Sequence, residues 1–291
     1  MPPVDWPEHL VGRIAADQWV LFIGSGVSAS CRNAAGASPP TWPGLLTRLC
    51  DLIADPNSEA IGEGLIQKRD LLSAADHIRF SLDEEGNLNS YLTTLRQAVE
   101  GPAGDPYQPS ELYDQLLALE PRVVFTTNYD KLFETASRNG YSTHRFDSAT
   151  LGGDLRRGDP VLVKLHGSTD SIAEVILTRP DFARVMLQGR HVFDILHALS
   201  LTSTVLFVGY SLDDPDIQLV LQAVGRGGLD PEAHFMLSDD PATPSRIPVF
   251  RTSFGITVLA YEAGRHDLVL ASLSDLNARV LGAREAAAPT A

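Results

Sequence analysis

The residues with chemical potential fall in four short clusters, each following a run of β-branched or aromatic residues. Trp19 to Ile23 leads into Gly24-Ser25-Gly26-Val27-Ser28. A glycine turn between strand and helix lets the backbone approach a phosphate group, and the helix start adds amide donors. Gly24, Gly26 and Ala29 satisfy the loose pattern G-x-G-x-x-G/A, although the same turn also serves strand–helix packing. Val123 to Thr126 leads into Thr127-Asn128-Tyr129-Asp130, an amide and a carboxylate that either meet a ligand or cap a helix. Val161 to Lys164 leads into Leu165-His166-Gly167, where an imidazole suits proton transfer near neutral pH or a structural place at a strand end. Leu206 to Val208 leads into Gly209-Tyr210-Ser211, and Asp214 and Asp216 follow at a helix start. A hydride-transferring dinucleotide enzyme also needs an acidic residue ending a second strand ~20 residues after the glycines. Here that region, Pro43 to Asp51, reads as helix, which argues against that class.

The elements that must position these clusters read as a parallel α/β architecture. Six continuous apolar runs stand out: 19–23, 123–127, 161–165, 204–208, 234–237 and 256–261. Continuous rather than alternating runs belong to strands covered on both faces. In open sheets of this kind ligands bind at the carboxyl ends of the strands, where all four clusters lie. The expectation is a Rossmann-like, mainly parallel, six-stranded sheet with helices on both faces. Between Trp42 and Leu119 the period becomes helical, as in Leu45, Leu46, Leu49 and Ile53, and again in Leu88, Tyr91, Leu92, Leu95 and Val99. Some 80 residues without a strand exceed a plain crossover, so an inserted helical subdomain is placed at about 43–110. Gly101 to Pro106 reads as its exit linker, and Glu84-Glu85-Gly86-Asn87 as a mobile turn. One domain is assigned to 1–283, and the alanine-rich 284–291 to a disordered tail.

Composition narrows the class further. The 291 residues are 44% hydrophobic and 21% charged, enough for a substantial core. With 23 Lys plus Arg against 37 Asp plus Glu, the net charge of −14 disfavours phosphate backbones, so no direct nucleic-acid binding is expected. No signal peptide or apolar span of ~20 residues is visible, which points to a cytoplasmic protein without membrane contact. Cys31 and Cys50 are too few for a disulfide framework or a four-thiolate zinc site.

In this order, Gly24-Ser-Gly-Val-Ser28, Pro40-Thr41-Trp42, Thr126-Thr-Asn-Tyr-Asp130, Lys164-Leu-His-Gly167 and Gly209-Tyr-Ser-Leu-x-Asp214 resemble the sirtuin-like family. More closely they resemble the zinc-less sirtuin-like domains of bacterial antiphage systems, which hydrolyse NAD. The stretch Tyr261 to Leu270 extends the resemblance over nearly the whole chain. Deacetylase sirtuins carry two C-x-x-C zinc pairs, absent here, and Gln-Asn-x-Asp where this chain has Thr127-Asn128-Tyr129-Asp130. The resemblance therefore implies NAD as substrate without zinc, and cleavage of the nicotinamide–ribose bond without protein deacylation. It implies that Asp130 bonds the carboxamide and that Asn128 fixes a water or the nicotinamide ribose. His166 then touches the ribose hydroxyls or acts as general base. Gly24, Gly26 and Ser28 hold the pyrophosphate, Gly209 with Ser211 line the adenosine half, and Ser25 and Thr127 complete the NAD-binding set. Asp214 and Asp216 either share that task or cap the next helix. Related defence NADases fuse a sensor or work with a HerA-like ATPase or short Argonaute, so a homo-oligomer controlled by such a partner is expected. Two other functions fit the fold: a non-catalytic module sensing NAD or an ADP-ribose derivative, and a structural assembly subunit. Retention of Asn128, Asp130 and His166 favours the enzyme.

Overall fold

A computed structural model describes residues 4–210, 233–239 and 243–288. Seven strands form one sheet: β1 (Trp19–Ile23), β2 (Val123–Thr126), β3 (Ser142–Arg145), β4 (Val161–Lys164), β5 (Thr204–Val208), β6 (His234–Ser238) and β7 (Ile256–Ala260). Their order is β3-β4-β2-β1-β5-β6-β7 and every pairing is parallel. The winding reverses between β1 and β5, and such a reversal opens a crevice beyond the carboxyl ends of the strands.

Both faces of the central strands are covered, which is why their sequences are apolar without alternation. One face sets Leu21, Ile23, Val124, Leu162 and Leu206 against Leu10, Ile14, Leu116, Leu273 and Leu276 of the helices Glu8–Ala15, Glu111–Ala118 and Asp267–Ala287. The opposite face sets Phe22, Phe125, Val163 and Phe207 against Leu151, Val192 and Leu196 of the helices Leu151–Arg157 and Arg190–Thr202.

The seventh strand, β3, is the element that the apolar-run criterion overlooks. Ser142 and Thr143 are exposed at the sheet edge and only His144 is buried, so a half-solvated edge strand carries no apolar run. Where the alanine-rich composition suggests a tail from residue 284, the described chain is still helical. The last helix continues to Ala287, and Arg284 pairs with Glu120 at 2.5 Å and reaches the carbonyl of Leu119. Alanine is the best helix former, so a small-residue composition extends a docked helix as readily as it frays a free one.

Between β1 and β2 lie the helices Trp42–Cys50, Pro56–Gln67, Leu71–Glu84 and Leu88–Glu100. Asp55 and Asp70 cap two of them by accepting from the Ser58 and Ser73 amides. Their apolar faces share a core of their own, in which Leu46, Leu49, Ile78, Leu82 and Leu95 are wholly buried, and Val175 and Leu177 close it from the sheet side. The turn at 84–87 is tied rather than loose: the Glu85 carboxylate accepts from the amides of Ala54 and Asp55. A second tie runs from Arg179 to Asp76 at 2.6 Å and to Ser73 at 2.9 Å. Both cysteines are buried and free. Among the described residues no helix is long and apolar enough to cross a membrane.

Candidate functional site

A cleft of about 600 Å³, open to solvent, lies at the carboxyl ends of β1, β2 and β4. Its sheet side presents Ser25, Ser28, Thr127, Asn128, Asp130 and His166, and its other side is an apolar wall of Pro39 and Pro40 with Trp42, Leu45 and Val99 of the helices between β1 and β2. A mostly apolar hollow with a few convergent polar groups is the usual form of a small-molecule site.

The polar side is built by a turn at the end of β2. The Thr126 hydroxyl donates to the Ile23 carbonyl at 2.8 Å and accepts from the Asn128 amide at 3.0 Å. The chain leaves the ladder there and doubles back beneath β1. The Asn128 side-chain amide gives one hydrogen to the Gly24 carbonyl at 3.0 Å and the other to the Ser28 hydroxyl at 2.9 Å. A reversed amide would set its oxygen against the Gly24 carbonyl, so Oδ1 is the atom left to face the cleft. Ser28 has a single hydroxyl proton, and it goes to Asp130 Oδ2 at 2.7 Å. The Tyr113 hydroxyl, 3.1 Å from Ser28 Oγ, is therefore a donor. Complete burial pushes its pKa well above 10, so that donor persists at any working pH. The remaining Asp130 oxygen accepts the Leu132 amide, the first of the short helix Leu132–Ala136, at 3.0 Å. The Asp130 carboxylate thus serves the start of that helix while it also lines the cleft.

His166 is buried between the rings of Tyr129 and Phe182, at centroid distances of 6.4 and 5.3 Å. Burial in this apolar setting moves its pKa down to about 3, where a sequence reading assumes the ordinary value. The imidazole is neutral at physiological pH and meets the cleft as a neutral ring.

The remaining sequence-predicted residues separate into three groups. Gly24, Gly26 and Gly209 lie behind the cleft, packed on one another. The Gly26 amide donates to the Gly209 carbonyl at 2.8 Å, and Gly24 donates to Val208. A Cβ on Gly26 would stand 2.9 Å from Gly209 Cα, and one on Gly209, whose φ is +78°, 2.6 Å from the Val27 nitrogen. The glycines thus let β1 and β5 end in direct backbone contact, while Ser25 and Ser28 face the hollow. Ser211, Asp214 and Asp216 lie outside the described residues. Thr127 does belong to the lining, and its hydroxyl bonds Tyr210 OH at 3.0 Å, which itself donates to Ile23. Among the described residues no group of three or more His, Cys, Asp and Glu could hold a metal ion.

Three contributors carry no role in the sequence reading. Tyr113 shows no signal, being one apolar-face residue of a helix. Trp42 is visible only as part of a motif. Lys164 did carry a signal: a charge inside the buried run Val161-Leu-Val-Lys164-Leu165 is unexpected unless paired.

Comparison with known proteins bears on this geometry. Residues 122–259 match the model of the SIR2-like domain, a span that runs from β2 into β7. The chain is 27% identical over 207 residues to NAD(+) hydrolase ThsA of Enterococcus faecium, covering 70% of this chain and 39% of that protein. It is 23% identical over 214 residues to NAD(+) hydrolase ThsA of Bacillus cereus (strain MSX-D12), covering 73% and 41%. Defense-associated sirtuin 2 of Bacillus subtilis is 27% identical over 135 residues, 45% of this chain and 13% of that one. The chain thus spans about two-fifths of the length of the ThsA relatives. Among solved structures, a Sir2 homolog–NAD complex superposes with a TM-score of 0.51 at 14% identity, covering 98% of this chain and 97% of that one; this likeness concerns the fold. Motifs, sheet and the match over residues 122–259 agree in their likeness to SIR2-like domains.

Proposed function

We propose that the cleft binds NAD and that the chain hydrolyses its nicotinamide–ribose bond, releasing nicotinamide and ADP-ribose. The observation that carries this reading is the Tyr113–Ser28–Asn128–Asp130 network, which consumes every donor of Asn128 and leaves its oxygen toward a hollow shared with a neutral His166. The names of the relatives, NAD(+) hydrolase and defense-associated sirtuin, support it.

The reaction asks little covalent chemistry of the protein. Nicotinamide leaves as a neutral molecule with the electron pair of the N-glycosidic bond, and an oxocarbenium-like ribose remains. A carboxylate fixed beforehand stabilises developing positive charge without reorganising, and Asp130, held by Ser28 and Leu132, is such a group. Asn128 Oδ1 accepts from the attacking water or from a ribose hydroxyl and sets its direction. After attack the new oxygen is strongly acidic, and its proton passes to any nearby acceptor. A histidine with a pKa of about 3 is basic enough for that task. The Trp42 and Leu45 wall gives the otherwise open cleft one apolar side.

Residues 1–283 are read as one domain with its helices at 43–110 inserted over the site. The chain would then be a cytoplasmic effector of bacterial antiphage defence. It would work without zinc, as a homo-oligomer held in check by a partner such as a HerA-like ATPase or short Argonaute.

Incubation of the purified protein, alone and with its neighbouring gene product, with NAD tests the reading. Nicotinamide and ADP-ribose should appear in equal amounts. Asn128→Ala and His166→Ala should each cut the rate by roughly 10²–10⁴-fold while circular dichroism stays unchanged, and acetyl-lysine peptide should not accelerate release. Saturable NAD binding without product would instead favour the sensing module, and unaltered turnover in either variant would overturn the assigned roles.

A further inference from the structure

Lys164, the last residue of β4, is completely buried. A lysine is almost never found so, because desolvating its ammonium is costly unless all its donors are met. Here each donor has a partner. Nζ bonds Glu134 Oε1 at 2.8 Å, the Tyr129 carbonyl at 3.3 Å and the Asp130 carbonyl more closely still. Glu134 lies on the short helix Leu132–Ala136 and is itself largely buried.

Two of those three partners are main-chain atoms of the turn that presents Asn128 and Asp130. β2 has left the ladder at Thr126, so these carbonyls have no strand to bond. The Thr169 amide also donates to Tyr129 O, at 3.1 Å, and Asp130 O accepts from Lys164. The ammonium thus closes the underside of the turn, while Ser28, Gly24 and Leu132 close its upper side. Lys164 does not line the cleft.

We propose that Lys164 is a positioning residue: by gripping the Tyr129 and Asp130 carbonyls it fixes the turn that aims Asn128 Oδ1 and the Asp130 carboxylate, and the Glu134 carboxylate serves to keep that ammonium buried. The inference rests on the hydrolase reading for its kinetic consequence, but its structural consequence is measured separately. Misplacement of an orienting group by about 1 Å costs on the order of 10²-fold in kcat, with little effect on ground-state binding supplied by other residues.

The test compares Glu134→Gln, Lys164→Met and the double variant Lys164→Met/Glu134→Met, because removing one member of a buried pair leaves the other uncompensated. Glu134→Gln removes the charge but keeps an amide oxygen for Nζ, so the grip on both carbonyls persists and kcat on NAD should stay within about threefold of wild type, while the uncompensated ammonium lowers the melting temperature. The double variant removes both charges and restores an apolar site, yet its kcat should fall about 100-fold with KM for NAD within about threefold. In the double variant, amide hydrogen exchange should quicken in peptides covering 126–133 and stay unchanged in those covering β1 and β5. A double variant that keeps wild-type kcat and exchange overturns the proposal. So does one that is unfolded or loses protection throughout the sheet, since Lys164 would then serve the fold at large. If wild type consumes no NAD, the hydrolase reading fails, and the exchange pattern alone decides whether Lys164 holds the turn.

Discussion

Asn128 shows how much of the site depends on the direction of single hydrogen bonds. Its nitrogen lies 3.0 Å from one acceptor, the Gly24 carbonyl. Asn128→Asp would place a carboxylate oxygen there, opposite a carbonyl oxygen with no proton between them. Leaving a buried group unsatisfied costs roughly 1–3 kcal/mol, and more when it is charged. Asn128→Asp should therefore melt below Asn128→Ala, although it is the closer replacement in shape; the reverse order in a thermal scan would refute the assigned amide orientation. The buried histidines make a second prediction at this scale. Burial lowers His166 to about 3 and His234 to about 4, against an unfolded value near 6.5. Their neutral forms are native, so stability is complete above pH ~6.5 and declines as pH falls toward the folded values, by up to roughly 1 kcal/mol per pH unit for each. His234 Nδ1 accepts the Val205 amide at 3.1 Å, a bond that asparagine can keep. His234→Asn should lose less stability than wild type between pH 6.5 and 5 in urea unfolding; parallel curves would sink the assignment.

At the scale of elements, the junction of β1 and β5 decides where the cleft opens. The turn after β1 leans on Gly209, which occupies a left-handed conformation and leaves no room for a methyl group. Gly209→Ala would combine backbone strain with a clash against the Val27 nitrogen, each of order 1–3 kcal/mol. The expected result is a melting temperature lower by several degrees and weakened NAD turnover, because Ser28 follows Val27 into the site. Gly264→Ala is the control: φ is +74° there as well, but nothing lies within 4 Å of its added methyl. Equal losses in the two variants would show that strain alone is at work and that the close approach at the junction is unimportant.

For the whole molecule the inserted helices matter most, since they supply the apolar wall and are tied to the sheet domain by Arg179 with Asp76. Under the proposed function NAD hydrolysis must be restrained in its host, and a wall built on helices with a core of their own can be shifted by assembly. Moving such a site from mostly closed to mostly open requires a partner that prefers the open form by ~10⁴-fold, about 5.5 kcal/mol, which a standard-sized interface supplies. The chain alone should accordingly turn over NAD slowly and the assembled form fast. Asp76→Asn, which weakens the tie, should raise the isolated chain's activity. Full turnover by a demonstrably monomeric preparation at nanomolar concentration would rule the restraint out.

Fold class and the place of the candidate cleft were legible in the residues themselves. Continuous apolar runs such as Thr204 to Val208 can be satisfied only between two covering layers, and the polar clusters that follow them must emerge at one edge of a parallel sheet. The spacing of Leu45, Leu46 and Leu49 likewise specified a helix regardless of its neighbours. Short polar β3 could not be read, because an edge strand is held by backbone pairing to β4 and carries no apolar signature. The helix through Ala287 was equally hidden, since its docking on Glu120 and Leu119 depends on residues more than 160 positions away. The partition of labour in the site also belongs to tertiary structure. Sequence presents Gly24, Gly26, Ser28, Asn128, Asp130 and His166 as equals. Only packing turns the glycines into a joint, aims Asn128 through Ser28 and Tyr113, and buries Lys164 beneath the turn. It also strips His166 of its charge, because burial and hydrogen-bond direction arise from segments some 80 to 140 residues apart meeting at one point.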